Sequence, residues 1–514
     1  MNATKETWRE EYHPTNTSLV AVTAAVAATY TYFLIFAQFG FLQAVQRGVG
    51  ADDALLRPIM GVMGLGGIVG SAGSAWLFDR KRGRPLILTG YVLAGAAAAI
   101  SWGAVSVAAF YLVAALTGLG TGITTVTLAA MLRREIGGDT LGRCIGAGTG
   151  LAYALVNLPP IFQAGPQAQA AIGLVAAGVG VLATARFGQR GPGYQTDGFD
   201  YHPRGIFLWV LIFFALVWLD SAAFYVIQHT EDLKAATWAG EKKLYLNAAV
   251  HALAALGAGW ALDRRGMGLT TLGAAALLLA ACAALNTGQL PLAVTGWGYA
   301  AAVSAYSTAL VFYPARSGRV GLAAMVYAVA GWLGSALGVG LAKNLHTVPD
   351  WFLLTVGAVI AGAFALRARL ARRPGLMLVV AGVILTGLPD ALQAGDLIDA
   401  GRRVYVAEGC IHCHSQYVRP GTMDEELWGP ARPLADALAQ TPPLLGNRRQ
   451  GPDLQNVGLR RTREWNRAHL IAPRTVSPGS RMPAYGYLFT ADARRGEALL
   501  DYLTSLGRAD AVVQ

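Results

Sequence analysis

The sequence predicts an all-α membrane protein that ends in a small, water-facing helical domain. Three observations carry this. Of 514 residues, 54% are hydrophobic and only 14% charged, and the mean hydropathy is +0.42; chains that cross a bilayer many times have this composition. Apolar runs of roughly 18 to 25 residues, each long enough to span the hydrocarbon, recur as far as residue 391. The remainder breaks that pattern and contains GCIHCHSQYVRP, residues 409–420.

Spans are expected near 18–42, 54–78, 85–106, 108–132, 143–163, 168–187, 205–229, 243–262, 268–288, 292–313, 319–342, 349–367 and 374–391. Glycine and alanine are dense within them, as close helix packing in lipid requires. The expected divisions are a six-helix half over 1–188, a polar linker over 189–204, a second six-helix half over 205–373, one additional membrane helix over 374–392, and the water-facing domain over 393–514. The polar start, Met1 to Thr17, leads directly into a full-length span, so no cleavable signal peptide is expected.

The net charge of +11 does not point to nucleic acid, because the basic residues cluster between apolar spans. Arg80, Lys81, Arg82 and Arg84 follow span two; Arg133 and Arg134 follow span four; Arg264 and Arg265 follow span eight; Arg367, Arg369, Arg372 and Arg373 follow span twelve. All of these fall on one face if every span crosses once, and positive loops mark the cytoplasmic face. The N-terminus is then cytoplasmic, and an odd number of spans carries the C-terminal domain outside.

Two loops repeat. Ala75-Trp-Leu-Phe-Asp79-Arg80-Lys-Arg-Gly83-Arg84 follows span two, and Gly259-Trp-Ala-Leu-Asp263-Arg264-Arg265-Gly266 follows span eight. They occupy equivalent places in two six-span halves, the mark of a duplicated transporter. Each resembles the G-x-x-x-D-R-x-G-R loop of the major facilitator superfamily. The first copy departs from it with Ala75 at the glycine position and one extra residue before Gly83; the second has Met267 where the family often has a basic residue. The resemblance covers residues 18–370 and implies a twelve-helix major-facilitator-like bundle. Asp79 with Arg80, and Asp263 with Arg264, are candidates for a charge-assisted latch between helices; the alternative is that the basic residues only fix topology.

Charged residues inside spans mark candidate sites. Asp220 is the clearest, in FFALVWLDSAAFYVIQHT of span seven. Ser221 and Tyr225 lie four apart and share a helix face, with Gln228 and His229 one turn later. His251 in span eight is a possible partner of Asp220 for a cation or a proton; the alternative is a buried hydrogen bond that locks two helices. Met60 and Met63 are better read as packing than as a soft-metal path. The superfamily includes a copper importer needed for cbb3-type oxidase assembly, but its thioether-rich seventh and eighth helices are not matched here. Cys144 and Cys282 fall in apolar segments and are expected to pack.

Cys410 and Cys413, spaced C-x-x-C and followed at once by His414, form the attachment signature of a c-type haem. The cysteines would carry the thioether links and His414 the proximal ligation. Met482, in Ser480-Arg-Met-Pro-Ala-Tyr485, is the candidate sixth ligand, and Pro483 prevents a helix from carrying the sulfur away. Gly451-Pro-Asp-Leu454 is a turn expected at the haem edge. A zinc half-site would need a second C-x-x-C, and a redox dithiol would need a βαβ setting. His412 is expected to face solvent. Helices are expected over Asp396 to Tyr405, Thr462 to Leu470 and Arg494 to Leu506, with Met423 to Asn447 as loops and Trp465 in a core or haem-packing role.

GCIHCHSQYVRP, GPDLQNVGLRR and SPGSRMPAYGYLF together resemble the mono-haem subunit, subunit II, of cbb3-type cytochrome c oxidases. The resemblance implies one haem c with His/Met ligation, a periplasmic haem domain on a bacterial inner membrane, and other respiratory-complex subunits as partners. It implies Arg419 as a partner for a haem propionate. The expected function is electron transfer from a soluble or membrane cytochrome to a haem–copper oxidase or related terminal reductase, with no catalytic site in this chain. The rival is a secondary transporter of a metal ion or small solute with a redox-active haem domain.

Overall fold

A computed structural model describes residues 15–50, 53–79, 81–187, 203–264, 266–287, 290–343, 347–370, 398, 400–438, 440, 442–446, 449–490 and 493–507. The chain divides into two compact units, Met1–Ile384 and Leu385–Gln514. Most of the expected linker and all of the additional helix over 374–392 lie outside the described residues, as does Arg80.

The first unit is all helix among the described residues. Its long helices are α1 (Asn16–Val49), α2 (Asp53–Leu77), α3 (Gly83–Ser101), α4 (Val107–Ile136), α5 (Leu141–Val156), α6 (Pro166–Thr184), α7 (Pro203–His229), α8 (Glu241–Arg264), α9 (Met267–Thr287), α10 (Leu292–Ser317), α11 (Val320–Ala342) and α12 (Asp350–Leu370). Ten of these are long and apolar enough to cross a membrane, so this is a membrane protein. The other two, α5 and α10, pack among them.

Several ends differ from expectation. The first span runs on to Val49, past the expected end at 42, through a π-helical stretch over Tyr32–Gly40. The fifth stops at Val156 because Pro159 and Pro160 cannot continue a helix, and the chain re-enters as a single turn, Pro159–Phe162. The fourth extends past 132 because Arg133 and Glu135 are themselves buried.

The pairing of helices repeats with an offset of six. In the first half α2 and α3 pack on α4, α1 packs on α5, and α6 packs on α1 and α3. In the second half α8 and α9 pack on α10, α7 packs on α11, and α12 packs on α7 and α9. Between the halves α5 meets α8 and α2 meets α11, and the same offset exchanges these two contacts.

The α5–α8 seam needs glycine. A Cβ on Gly146 would sit 2.4 Å from the Ala255 carbonyl oxygen, and one on Gly259 would sit 2.3 Å from that of Gly142. The backbones meet only because those side chains are missing, as in lipid-embedded helix pairs. At the α2–α11 seam the Trp332 indole lies against Gly67, where a Cβ would come within 2.0 Å of the ring.

The second unit is a small helical domain. Its 400–407 helix crosses the C-terminal helix Ala493–Ser505 at Gly401, whose Cβ would meet the Ala498 carbonyl oxygen at 2.0 Å. The Tyr405 and Tyr502 rings pack 5.6 Å apart at that crossing. Leu499, Leu500, Leu503 and Leu506 are buried, on the inward face expected of them. A helix over Arg463–Ile471 is capped by Thr462 and tied to the C-terminal helix by Arg463 with Glu497 and Asp501, and by Arg467 with Glu497. The 423–447 segment is less loop-like than expected. It holds two short helices, Met423–Trp428, capped by Thr422, and Leu434–Leu438. Trp465 is half-buried and outside the apolar core: it stacks on His469 at 4.7 Å, with the Arg461 guanidinium 4.4 Å from its ring.

Candidate functional sites

Cys410–Cys413 forms one helical turn, entered through Gly409 at a φ of 74°. Both thiols are unpaired with each other. The chain then becomes extended at His414, and His414 Nδ1 donates to the Pro452 carbonyl at 2.8 Å. That bond fixes the ring and leaves Nε2 as the open nitrogen. The amides of Gln450 and Gly451 both donate to the Cys413 carbonyl at 2.9 Å, folding the Gly451-Pro-Asp-Leu454 turn over the motif. Gly451 is required there: its Cβ would meet His414 Cε1 at 2.3 Å. Burial lowers the His414 pKa, partly offset by the Pro452 bond and the Asp453 charge, so the neutral imidazole is favoured. Burial likewise pushes the Cys410 thiol up to about 12. His412 is exposed, as expected.

Met482 is half-buried on the apolar cluster that contains Cys410, Leu454 and Tyr485. Its amide donates to Ser480 Oγ at 3.2 Å, and the Tyr485 amide donates to the Leu470 carbonyl at 2.7 Å. The donor set is two thiols in one turn, an imidazole with a single open nitrogen, and a thioether on the shared apolar cluster. This chemistry fits a covalently attached haem with His/Met ligation.

The side chain of Arg419, expected at a haem propionate, is exposed; its amide donates to Asp424 and its carbonyl accepts from Thr422 Oγ1. A nearly buried guanidinium in this domain is Arg449. It forms a two-pronged pair with Asp424, both bonds 2.8 Å, and a 3.2 Å bond to Ser415 Oγ, and it stacks 4.3 Å from the Trp428 ring centre. Asp453, fully buried, accepts from Ser415 Oγ at 2.5 Å, the Tyr417 amide at 2.9 Å and the Gln455 amide at 2.8 Å. The sequence reading placed Asp453 in the turn at the haem edge without giving it a role, and missed Arg449. The only signal was an acid and a base placed either side of the Gly-Pro turn.

In the membrane unit a cavity of about 150 Å³ lies between the two halves, lined by Asp220, Ser221 and His251 among others. Asp220 and His251 do not bond each other; both are anchored to α10. Asp220 accepts from the phenols of Tyr299 and Tyr306. His251 Nδ1 lies 2.7 Å from Ser304 Oγ, and the ring stacks on Tyr153 at 4.7 Å. Ser221 Oγ donates to Ser335 Oγ at 3.1 Å. Tyr225 is not brought to the cavity: it stacks on His229 at 3.8 Å, and Phe224 takes the wall position. Asn157 also lines it and accepts from Trp238 Nε1 at 3.0 Å. Tyr299 and Tyr306 went unnoticed in the sequence, although a spacing of seven puts them on one helix face. Met60 and Met63 belong to an apolar packing cluster, and Cys144 and Cys282 are buried.

The two repeated loops behave differently. Asp263, its side chain 4% exposed, accepts from the Gly142 amide at 2.7 Å, the Arg143 amide at 3.0 Å and Arg143 Nε at 3.1 Å. It therefore caps α5 from across the seam, where Thr140 makes no capping bond. Arg264 stays outside this latch, its guanidinium 5.1 Å from the Trp260 ring. Asp79 is local: it accepts from the amides of Lys81 and Arg82 at 2.7 Å and pairs with Arg82 at 3.3 Å, all exposed. The extra residue in the first loop turns its acid onto its own backbone. Arg133 closes the same end, donating to the Arg316 carbonyl at 2.7 Å.

Residues 394–507 match the family model described as cytochrome C oxidase, mono-heme subunit/FixO. No curated protein matches the chain. Among solved structures the chain is similar to the human organic anion transporter MFSD10 (TETRAN), at 16% identity and a TM-score of 0.48, covering 72% of this chain and 98% of that one. It is also similar to a major facilitator superfamily transporter, FucP, in the outward conformation, at 13% identity and a TM-score of 0.49, covering 66% and 96%. The mono-haem resemblance read from the sequence is thus met by the family model, and the two-half architecture rests on the helix pairing described above.

Proposed function

We propose that this chain is a membrane-anchored c-type cytochrome that transfers electrons as one subunit of a respiratory complex. Its acceptor would be a haem–copper oxidase or related terminal reductase, and its donor a soluble or membrane cytochrome. The observation that carries this is the one-turn C-x-x-C-H motif with His414 Nδ1 held by Pro452, in a segment matching the mono-haem oxidase subunit family. Cys410 and Cys413 would hold one haem covalently, with His414 and Met482 as axial ligands. The group would supply reversible one-electron chemistry; Cys410, Cys413, His414 and Met482 would hold it beside the apolar cluster that includes Cys410 and Leu499. In this reading the haem domain is periplasmic and the N-terminus cytoplasmic, which the positive-inside bias of the loops supports.

The test is purification in mild detergent from the native membrane, with a haem spectrum and identification of co-migrating proteins. An oxidase core that co-purifies in fixed proportion supports the proposal. Covalent haem retained on a denaturing gel by Cys410→Ala/Cys413→Ala would sink the haem assignment. A second reading, transport linked to redox state, is favoured by one specific observation: a cavity between the halves holds Asp220, Ser221 and His251 in an otherwise mainly apolar wall. Uptake of a labelled solute into proteoliposomes, lost in Asp220→Asn, supports it.

A further inference from the structure

The cavity between the halves has a one-sided electrostatic design. Asp220 is the only acidic residue on its wall among the described residues, and no lysine or arginine lies there. Tyr299 and Tyr306 both donate to its carboxylate. Such donors orient an ionised carboxylate without neutralising it. They occupy two of its roughly four acceptor positions. A half-buried carboxylate inside the bundle with no cation beside it is costly, and a bound cation offsets that cost.

The rest of the wall is suited to one kind of cation. Tyr153, Trp238, Tyr299 and Tyr306 present aromatic surface, and Trp238 meets Tyr299 edge-on at 6.0 Å. Aromatic walls beside a carboxylate recognise organic ammonium ions, whose charge is spread over an apolar body. A metal ion fits poorly: no group of three His, Cys, Asp or Glu side chains gathers among the described residues. An anion would be repelled by Asp220. The volume, about 150 Å³, matches a guest of about six non-hydrogen atoms.

We propose that this cavity binds a small organic ammonium ion, its charge on Asp220 and its apolar body against Tyr153, Trp238 and Tyr306. This goes beyond the electron-transfer reading and holds whether or not the bundle transports.

The experiment is equilibrium binding of tert-butylammonium to the full chain in lipid nanodiscs, beside its neutral isostere tert-butanol. Saturable binding of the ammonium that the alcohol does not displace is expected, weakened about tenfold or more in Asp220→Asn. Equal affinity for the alcohol, no saturable binding, or an unchanged affinity in Asp220→Asn would each overturn the proposal. If Asp220→Asn fails to accumulate, Tyr306→Phe keeps the ring and removes one hydroxyl from the carboxylate, and weaker ammonium binding is again expected. The ammonium-against-alcohol comparison needs no variant. Binding without uptake into proteoliposomes would support this proposal while overturning the transport reading.

Discussion

Arg449 joins three parts of the haem domain through one guanidinium: the Met423–Trp428 helix through Asp424, the strand-like segment after His414 through Ser415, and the Gly-Pro turn on which it stands. Both members of the Arg449–Asp424 pair are nearly buried, at 12% and 10% exposure. Arg449→Met leaves Asp424 unpaired and is expected to cost about 3 kcal/mol, read as a fall in the domain's unfolding midpoint. The hydrogen bonds from Arg449 hold the Asp424 carboxyl below its ordinary value of 3.8. A depressed carboxyl stabilises the folded state above the unfolded value and loses that contribution as pH falls through the depressed one. Acid titration should therefore remove the contribution of Asp424 only below about pH 4. Asp424→Asn should be less stable at neutral pH and should show a flatter acid limb. Met482→Ala should leave the haem attached, lower its potential and remove the sulfur-to-iron absorbance; an unchanged spectrum means another sixth ligand. The C-x-x-C-H signal is legible in sequence because covalent attachment demands contiguous spacing. Arg449 was not, because its partners lie 25 and 34 residues away along the chain.

Among the elements, α5 and α8 bear the strictest geometry. Their backbones touch at Gly142, Gly146 and Gly259, and Asp263 caps α5 at the arginine-rich end of that seam. Gly146→Leu must push the helices apart and should cost about 1–3 kcal/mol, measured as a lower thermal midpoint in detergent. Asp263→Ala removes a buried cap and should cost about 2 kcal/mol. Asp79→Ala, exposed and bound only to its own turn, should move stability by less than about 0.5 kcal/mol. If the two alanine variants behave alike, the asymmetry described here is wrong. Helix positions were largely readable because twenty apolar residues in a row admit few alternatives in a bilayer. Their ends were not, because burial of Arg133 and Glu135 in α4, and a proline pair after α5, depend on neighbours that hydropathy does not see.

For the molecule as a whole, the duplicated loop motif made the two-half plan legible, and the pairing of α1–α6 repeated in α7–α12 agrees with it. The cavity chemistry was only half legible: Asp220 and His251 stood out as polar residues in apolar runs, but α10, which anchors both, reads as an ordinary span. The repeat also shows where the halves diverge. Counting back equally from Asp79 and Asp263 pairs Gly67 with His251, and counting forward from the starts of α5 and α11 pairs Tyr153 with Trp332. The same joint is thus built twice. In one copy Tyr153 stacks on an imidazole beside the cavity; in the other an indole fills the space over a bare glycine. The duplication has left a lopsided vessel, with its charge and most of its hydroxyls on the later half and grease plugging the mirror position. A cation held on Asp220 would stay with that half, and if the halves rock against each other, the earlier one would sweep past it as a shutter.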